Sequence, residues 1–268
     1  MLQHRALGDT GIRISPISLG TVKIGRNEQV KYPTPFAIPD DKAVLELLAK
    51  ARDLGINCLD TAPSYGNSEQ RLGKLLGNAT NDWVICTKAG EEFIDGKSRF
   101  DFSPEAVKRS VERSLQRLHR DELDIVLIHS DGNDLDIINE LGTLDALDDL
   151  KKAGMIRATG MSTKTVTGGI AALEKADIVM ATYNLQDQSE KPVLDFAETH
   201  NKGVFIKKGL ASGHACAGYT NDPVQASLEL ILSHPGVTSI TIGTIQIPHL
   251  VKNAEKAARV LASLSGKV

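Results

Sequence analysis

Four residues able to handle protons stand at or just beyond the ends of three short apolar runs. The run 56–60 ends in Asp60, and the loop Thr61-Ala62-Pro63-Ser64-Tyr65-Gly66 that follows presents a tyrosine. The run 83–88 ends in Lys88, and the run 123–129 ends in His129. A phenol titrates near about 10 and is a poor acid at neutral pH, so Tyr65 as a proton donor needs a cation beside it. If the strands are neighbours, the Lys88 ammonium would stabilise a phenolate and pull the phenol pKa down, while Asp60 would keep Lys88 charged and oriented. His129 would then hydrogen-bond the oxygen of a carbonyl substrate and fix its direction. Taken singly, a polar residue at a strand end serves equally well as a cap on a barrel rim. Convergence of four at one mouth is what favours proton transfer.

The elements that must position these groups follow from hydrophobic periodicity. Turn signals at Gly8-Asp9 and Thr10-Gly11 among alternating residues predict a small hairpin within residues 2–16. Strands are then expected at 17–21, 56–60, 83–88, 124–129, 157–161, 177–182, 203–207 and 239–242. Between them, Val44, Leu47, Leu48 and Ala51 form one helical stripe after an Asp40 or Asp41 cap, with Gly55 closing it. Ser103-Pro104 opens a second helix bearing Val107, Val111, Leu115 and Leu118, and a third carries Leu144, Leu147 and Leu150. Eight strand-then-helix units whose strands are apolar throughout predict a parallel sheet buried on both faces and closed on itself, a (β/α)8 TIM barrel with an N-terminal β-hairpin. A doubly wound open sheet is the alternative. With no composition break, residues 1–268 read as one domain.

Composition narrows the function. A net charge of −3 over 268 residues of mixed sign offers neither a nucleic-acid surface nor a membrane surface. Cys58, Cys86 and Cys216 have no spacing that suggests a disulfide frame or a zinc site, so the expectation is reduced thiols, a cytoplasmic protein and no metal. No signal-peptide pattern and no membrane-length apolar run occurs. Nothing in the chain sets the number of subunits.

The opening Leu7-Gly8-Asp9-Thr10-Gly11, Leu19-Gly20-Thr21, the loop Leu59-Asp60-Thr61-Ala62-Pro63-Ser64-Tyr65-Gly66 with Ser68-Glu69, the strand ends Thr87-Lys88 and Ile128-His129, and Gly160-Met161-Ser162 together resemble the aldo-keto reductases. The resemblance implies a barrel that binds NADP, or NAD, across its mouth and moves hydride to an aldehyde or ketone. It also implies the roles of Tyr65 as general acid, Lys88 and Asp60 as its tuning pair and His129 as the group orienting the carbonyl.

On the cofactor side the resemblance implies Gly20, Thr21, Asp60, Ser162, Thr163, Lys207, Lys208, Gly209, Leu210, Gly243, Thr244, His249 and Asn253. The pattern departs from the family here. Thr163 replaces an asparagine, Met180 a glutamine, and Lys207 an aromatic ring that would stack on nicotinamide; Lys208-Gly209 replaces a serine-proline pair. Lys207 and Lys208 can instead meet the cofactor pyrophosphate. Gly243 and His249 stand where NADP-specific relatives carry cations, which leaves Thr244, Lys252 and a helix N-terminus for a 2′-phosphate.

Weaker signals remain. Gly96-Lys97-Ser98 follows Gly90 at the wrong spacing for a P-loop, and Asp131-Gly132-Asn133-Asp134-Leu135-Asp136 lacks the ligands of a calcium loop and reads as a solvated loop over the site. His4, His119, His200, His214 and His234 read as surface or capping residues. Connections 22–39, 89–102, 130–139 and 211–222 follow barrel strands at the mouth and are expected to touch substrate. With few aromatics there, small or polar carbonyls are favoured over steroids. The competing function is a regulatory barrel that binds cofactor without efficient turnover; a lyase or isomerase has only fold analogy behind it.

Overall fold

Turn chemistry shapes the first element. Gly8 and Gly11 take positive φ in the turn between β1 (Arg5–Ala6) and β2 (Arg13–Ile14), which pair antiparallel. A Cβ on Gly8 would meet the Asn201 carbonyl at 2.5 Å, so glycine lets the hairpin lie against the bottom of the barrel. The chain, described as a computed structural model over residues 2–211 and 222–266, continues through β3 (Ile17–Gly20), α1 (Val22–Gly25), α2 (Asp41–Asp53), β4 (Cys58–Asp60), α3 (Ser68–Leu76) and β5 (Val84–Ala89). Next come β6 (Glu91–Ile94), β7 (Lys97–Phe100), α4 (Pro104–Leu118), β8 (Leu123–His129), α5 (Asp134–Asn139), α6 (Thr143–Lys152) and β9 (Ile156–Ser162). The remainder is α7 (Val166–Lys175), β10 (Ile178–Thr182), α8 (Lys191–Thr199), β11 (Gly203–Lys207), α9 (Pro223–Leu232), β12 (Ser239–Ile242) and α10 (Ile247–Ser265).

Strands β3, β4, β5, β8, β9, β10, β11 and β12 are parallel neighbours in that order and close back on β3, as the apolar runs predict. Inside the ring, Cys58, Cys86, Ile125, Ala158, Met180 and Phe205 form a core that Leu7, Ile12 and Ile14 of the hairpin region plug from below. Outside it, each helix turns its apolar stripe inward. In α2 the buried residues are Val44, Leu47, Leu48 and Ala51, and Asp40 caps the helix by accepting from Ala43 N at 2.8 Å. In α4 Ser103 is the cap and Pro104 the first residue, as the sequence pattern has it. Among the described residues, no helix is long and apolar enough to cross a membrane.

Three stretches differ from the sequence-based expectation. Connection 89–102 is not an open loop: β6 and β7 pair as a hairpin turned by Asp95 and Gly96, both at positive φ. Residues 131–133 form the expected part-exposed loop, but the stretch that follows turns into α5 and is not solvated throughout. Asp134 is buried at the start of α5, accepting from Lys164 N at 2.9 Å, Thr165 N at 2.8 Å and the Thr165 hydroxyl at 2.7 Å, so it ties the segment after β9 to the segment after β8. His234 is buried, with Nε2 3.0 Å from Asp195 and Nδ1 accepting from Gly236 N. His214, Cys216 and most of connection 211–222 lie outside the described residues.

Candidate active site

The barrel's parallel register delivers the polar strand ends to one mouth. Gly20 pairs with Asp60, Lys88 lies beside Leu127, and His129 stands opposite Ser162. There Asp60, Tyr65, Lys88 and His129 all line a cavity of about 590 Å³. Lys88 is almost completely buried; its Nζ donates to Asp60 Oδ1 at 2.5 Å and to the Thr61 carbonyl at 2.8 Å, and lies 4.9 Å from the Tyr65 ring centroid. Burial alone would push the Lys88 pKa down, but the Asp60 carboxylate reverses that, so it stays an ammonium well above the usual lysine range.

The phenol does not go the way expected from sequence. Burial and the Asp60 charge raise the Tyr65 pKa well above 10, outweighing the charge and hydrogen bond of Lys88 that pull it down. Tyr65 is therefore a fully protonated donor beside a fixed ammonium, and the ammonium's effect is greatest on the negative charge that forms as the proton leaves.

The loop bearing Tyr65 is held by close backbone packing. A Cβ on Gly25 would sit 2.3 Å from the Tyr65 carbonyl, and one on Gly66, at φ +65, 2.2 Å from the Gly25 carbonyl. The tyrosine can approach only because both residues are glycine.

His129 has a partner that sequence reasoning missed. Glu91 Oε2 at the start of β6 lies 2.6 Å from His129 Nδ1, with Ser64 Oγ 3.4 Å from the same nitrogen. The Asp95-Gly96 pair is a hairpin signal that could have placed Glu91 beside the mouth. From connection 22–39, expected to touch substrate, Tyr32 lines the cavity with Lys23 Nζ 3.9 Å over its ring, and Arg26 of the same connection stacks on Phe93 at 3.5 Å.

A family model described as the aldo/keto reductase family matches residues 16–226, a span that contains all four of these groups. The chain belongs to the aldo/keto reductase family. Similar proteins include the uncharacterized oxidoreductase YqkF of Bacillus subtilis, 28% identical over 96% of this chain and 91% of that one. L-galactose dehydrogenase of Arabidopsis thaliana is 32% identical over 79% of this chain and 66% of its own length. Among solved structures, PA4992 of Pseudomonas aeruginosa, assigned to the aldo-keto reductases, superposes with a TM-score of 0.88 at 50% identity, covering 96% of this chain and 95% of that one. As a member of this family the chain is an NAD(P)-dependent oxidoreductase.

The residues present fit a dinucleotide. Along the same cavity run Gly20, Ser162, Lys207, Lys208, Gly209 and Leu210, and beyond β12 Gly243, Thr244, His249 and Asn253, with Lys252 and Lys256 beside them. Gly243 leaves space that a Cβ would fill, 2.9 Å from the Tyr32 hydroxyl. Lys208 and Lys252 have no carboxylate within ion-pairing distance among the described residues, which suits a diphosphate, whereas Lys256 is tied to Asp222 at 2.5 Å. Two residues expected at the cofactor do not reach the cavity. Thr21 is buried with its hydroxyl donating to the Asp60 carbonyl at 2.9 Å, and Thr163 is fully buried with its hydroxyl unpartnered.

Lys207 does not stand free for the pyrophosphate. Its Nζ donates to Ser162 Oγ at 3.0 Å and to the Thr163 carbonyl. Burial, opposed by Glu190 and reinforced by Lys208, pulls its pKa down to about 8.

Proposed function

We propose that this chain reduces small polar aldehydes and ketones with NAD(P)H, and oxidises the corresponding alcohols, with Tyr65 as the proton donor. The observation that carries the reading is the buried Lys88 ammonium, held by Asp60 and lying against Tyr65 where the barrel opens. Hydride comes from the nicotinamide when the cofactor is bound. The chain's own residues do the rest. Tyr65 protonates the oxygen of the carbonyl as the carbon receives hydride, and Lys88 stabilises the charge left on the phenol. Asp60 keeps Lys88 in place, His129 orients the substrate, and the wall formed by Tyr32 limits water.

Ser162, Lys207 and the glycines at 20 and 209 hold the nicotinamide half; Lys208, Gly243, Lys252, Thr244, His249 and Asn253 hold the far half. NADP is preferred in this reading because Lys252 and the positive end of the α10 dipole offer charge to a 2′-phosphate, with NAD the rival. L-galactose dehydrogenase among the relatives is named for a hydroxylated substrate, which agrees with a site that has few aromatics.

Mixing the protein with NADPH or NADH and a panel of aldehydes, and following loss of reduced-nicotinamide absorbance, tests this. Turnover that falls about 10²- to 10⁴-fold in Tyr65→Phe supports it.

Lys207 favours a second reading, a cofactor-binding barrel without efficient turnover, because it occupies Ser162 and lies where nicotinamide would stack. Tight binding of cofactor with no carbonyl turned over would select that alternative.

A further inference from the structure

The contact that holds His129 also decides which way its ring nitrogens work. Burial presses the Glu91 pKa upward, but the hydrogen bonds from His129, Ser98 and Ser64 with the His129 charge hold it at about 2, so at neutral pH it is ionised and can only accept. The proton in the 2.6 Å contact therefore sits on His129 Nδ1. Burial first, then Lys88 and Lys207, keep the imidazole below its usual range against the opposing pull of Glu91, so above that range the ring is neutral. A neutral imidazole carries one N–H, and Glu91 has taken it. Nε2 has no partner among the described residues and is left as a bare lone pair for whatever enters the cavity.

The other groups around the ring do not change this. Lys88 from β5 and Lys207 from β11 oppose a positive charge on it, Tyr65 from the loop after β4 lies edge-on at 6.4 Å, and Arg26 beyond α1 acts on Glu91. Ser64 shares Nδ1.

A lone pair repels a carbonyl oxygen and accepts from a hydroxyl. We propose that Glu91 is a positioning residue that fixes His129 as a hydrogen-bond acceptor, and that the site thereby selects carbonyl compounds bearing a hydroxyl on the adjacent carbon, α-hydroxyaldehydes and α-hydroxyketones, over their deoxy counterparts. This rests on the reductase reading and narrows its substrate class. The carbonyl oxygen takes its hydrogen bond and then its proton from Tyr65, while the neighbouring hydroxyl donates to His129 Nε2. Hydride adds to the carbonyl carbon, the C=O π pair takes the Tyr65 proton, and the product is a vicinal diol. The expectation from sequence, in which His129 donates to the carbonyl, applies to the imidazolium alone.

The test compares kcat/KM for glycolaldehyde against acetaldehyde, and for lactaldehyde against propanal, in wild type, Glu91→Gln and Glu91→Asp across pH 5 to 8. Wild type is expected to favour the hydroxylated member at least about tenfold at pH 7.5, as one good hydrogen bond allows. The ratio falls as acid protonates His129, because an imidazolium donates to either member. In Glu91→Gln the amide N–H can turn Nδ1 into an acceptor, so the ratio approaches one; Glu91→Asp restores it in part. Equal values for both members in wild type, or a ratio that ignores Glu91→Gln, overturns the proposal. Nitrogen-15 NMR of labelled histidine reads the tautomer without depending on turnover: neutral His129 protonated at Nδ1 supports the assignment, and protonation at Nε2 overturns it. Failure to turn over any carbonyl with either cofactor strikes the reductase reading, while the NMR result still decides the role of Glu91.

Discussion

Lys88 and Asp60 are the most consequential pair in the molecule, because neither can be buried alone. In Lys88→Met the Asp60 carboxylate loses its partner in a water-poor pocket, at an expected cost of about 3–5 kcal/mol, and turnover falls with it. Adding Asp60→Asn removes the stranded charge. The double variant is expected to regain much of the stability and none of the activity, by urea unfolding and initial rates. Glu91 gives a pH signature. Its folded pKa is depressed from 4.5 to about 2, so its contribution is present above pH 4.5 and lost as pH falls toward 2. That contribution is at most roughly 3 kcal/mol. Urea unfolding from pH 7 to pH 3 is expected to show a fall in stability that Glu91→Gln flattens. Lys207 titrates near 8, so its charge is present below that pH and lost above it. With that charge lost, its hold on Ser162 Oγ and the Thr163 carbonyl loosens, so the KM for cofactor is expected to rise above pH 8 in wild type and to stay level in Lys207→Met.

At the scale of elements, the tyrosine loop depends on α1 lying close against it. Gly25→Ala puts a methyl group 2.3 Å from the Tyr65 carbonyl and 2.4 Å from Ser68 N. Overpacking of this kind costs about 1–3 kcal/mol, and the displaced Tyr65 is expected to lower kcat more than it raises the KM for cofactor. The strands that carry the site were legible in the sequence because a parallel barrel buries both faces of each strand and writes them as unbroken apolar runs ending in a polar residue. The hairpin β6–β7 was not, because Glu91, Glu92 and Phe93 show no clean alternation; its main signal was the Asp95-Gly96 turn. Asp134 was hidden for another reason. An aspartate in an acid-rich stretch reads as solvated, and only the fold shows backbone N–H groups converging on it.

For the whole molecule, the sign of a pKa shift is where sequence reasoning went astray. Spacing alone brings Lys88 to Tyr65, but depth in the cavity makes burial the larger effect and leaves the phenol protonated. Residue type could not reveal that Thr21 and Thr163 face into packing, or that Lys207 is engaged by Ser162 and Thr163. The central claim is that hydride passes directly between nicotinamide and substrate at this mouth, with the proton supplied by Tyr65. The most direct measurement uses cofactor deuterated at nicotinamide C4 and mass spectrometry of the alcohol formed, in wild type and Tyr65→Phe. The expected result is deuterium on the carbinol carbon, formed about 10²- to 10⁴-fold more slowly in the variant. Unlabelled alcohol, or labelled alcohol formed equally fast without the Tyr65 hydroxyl, would contradict the account.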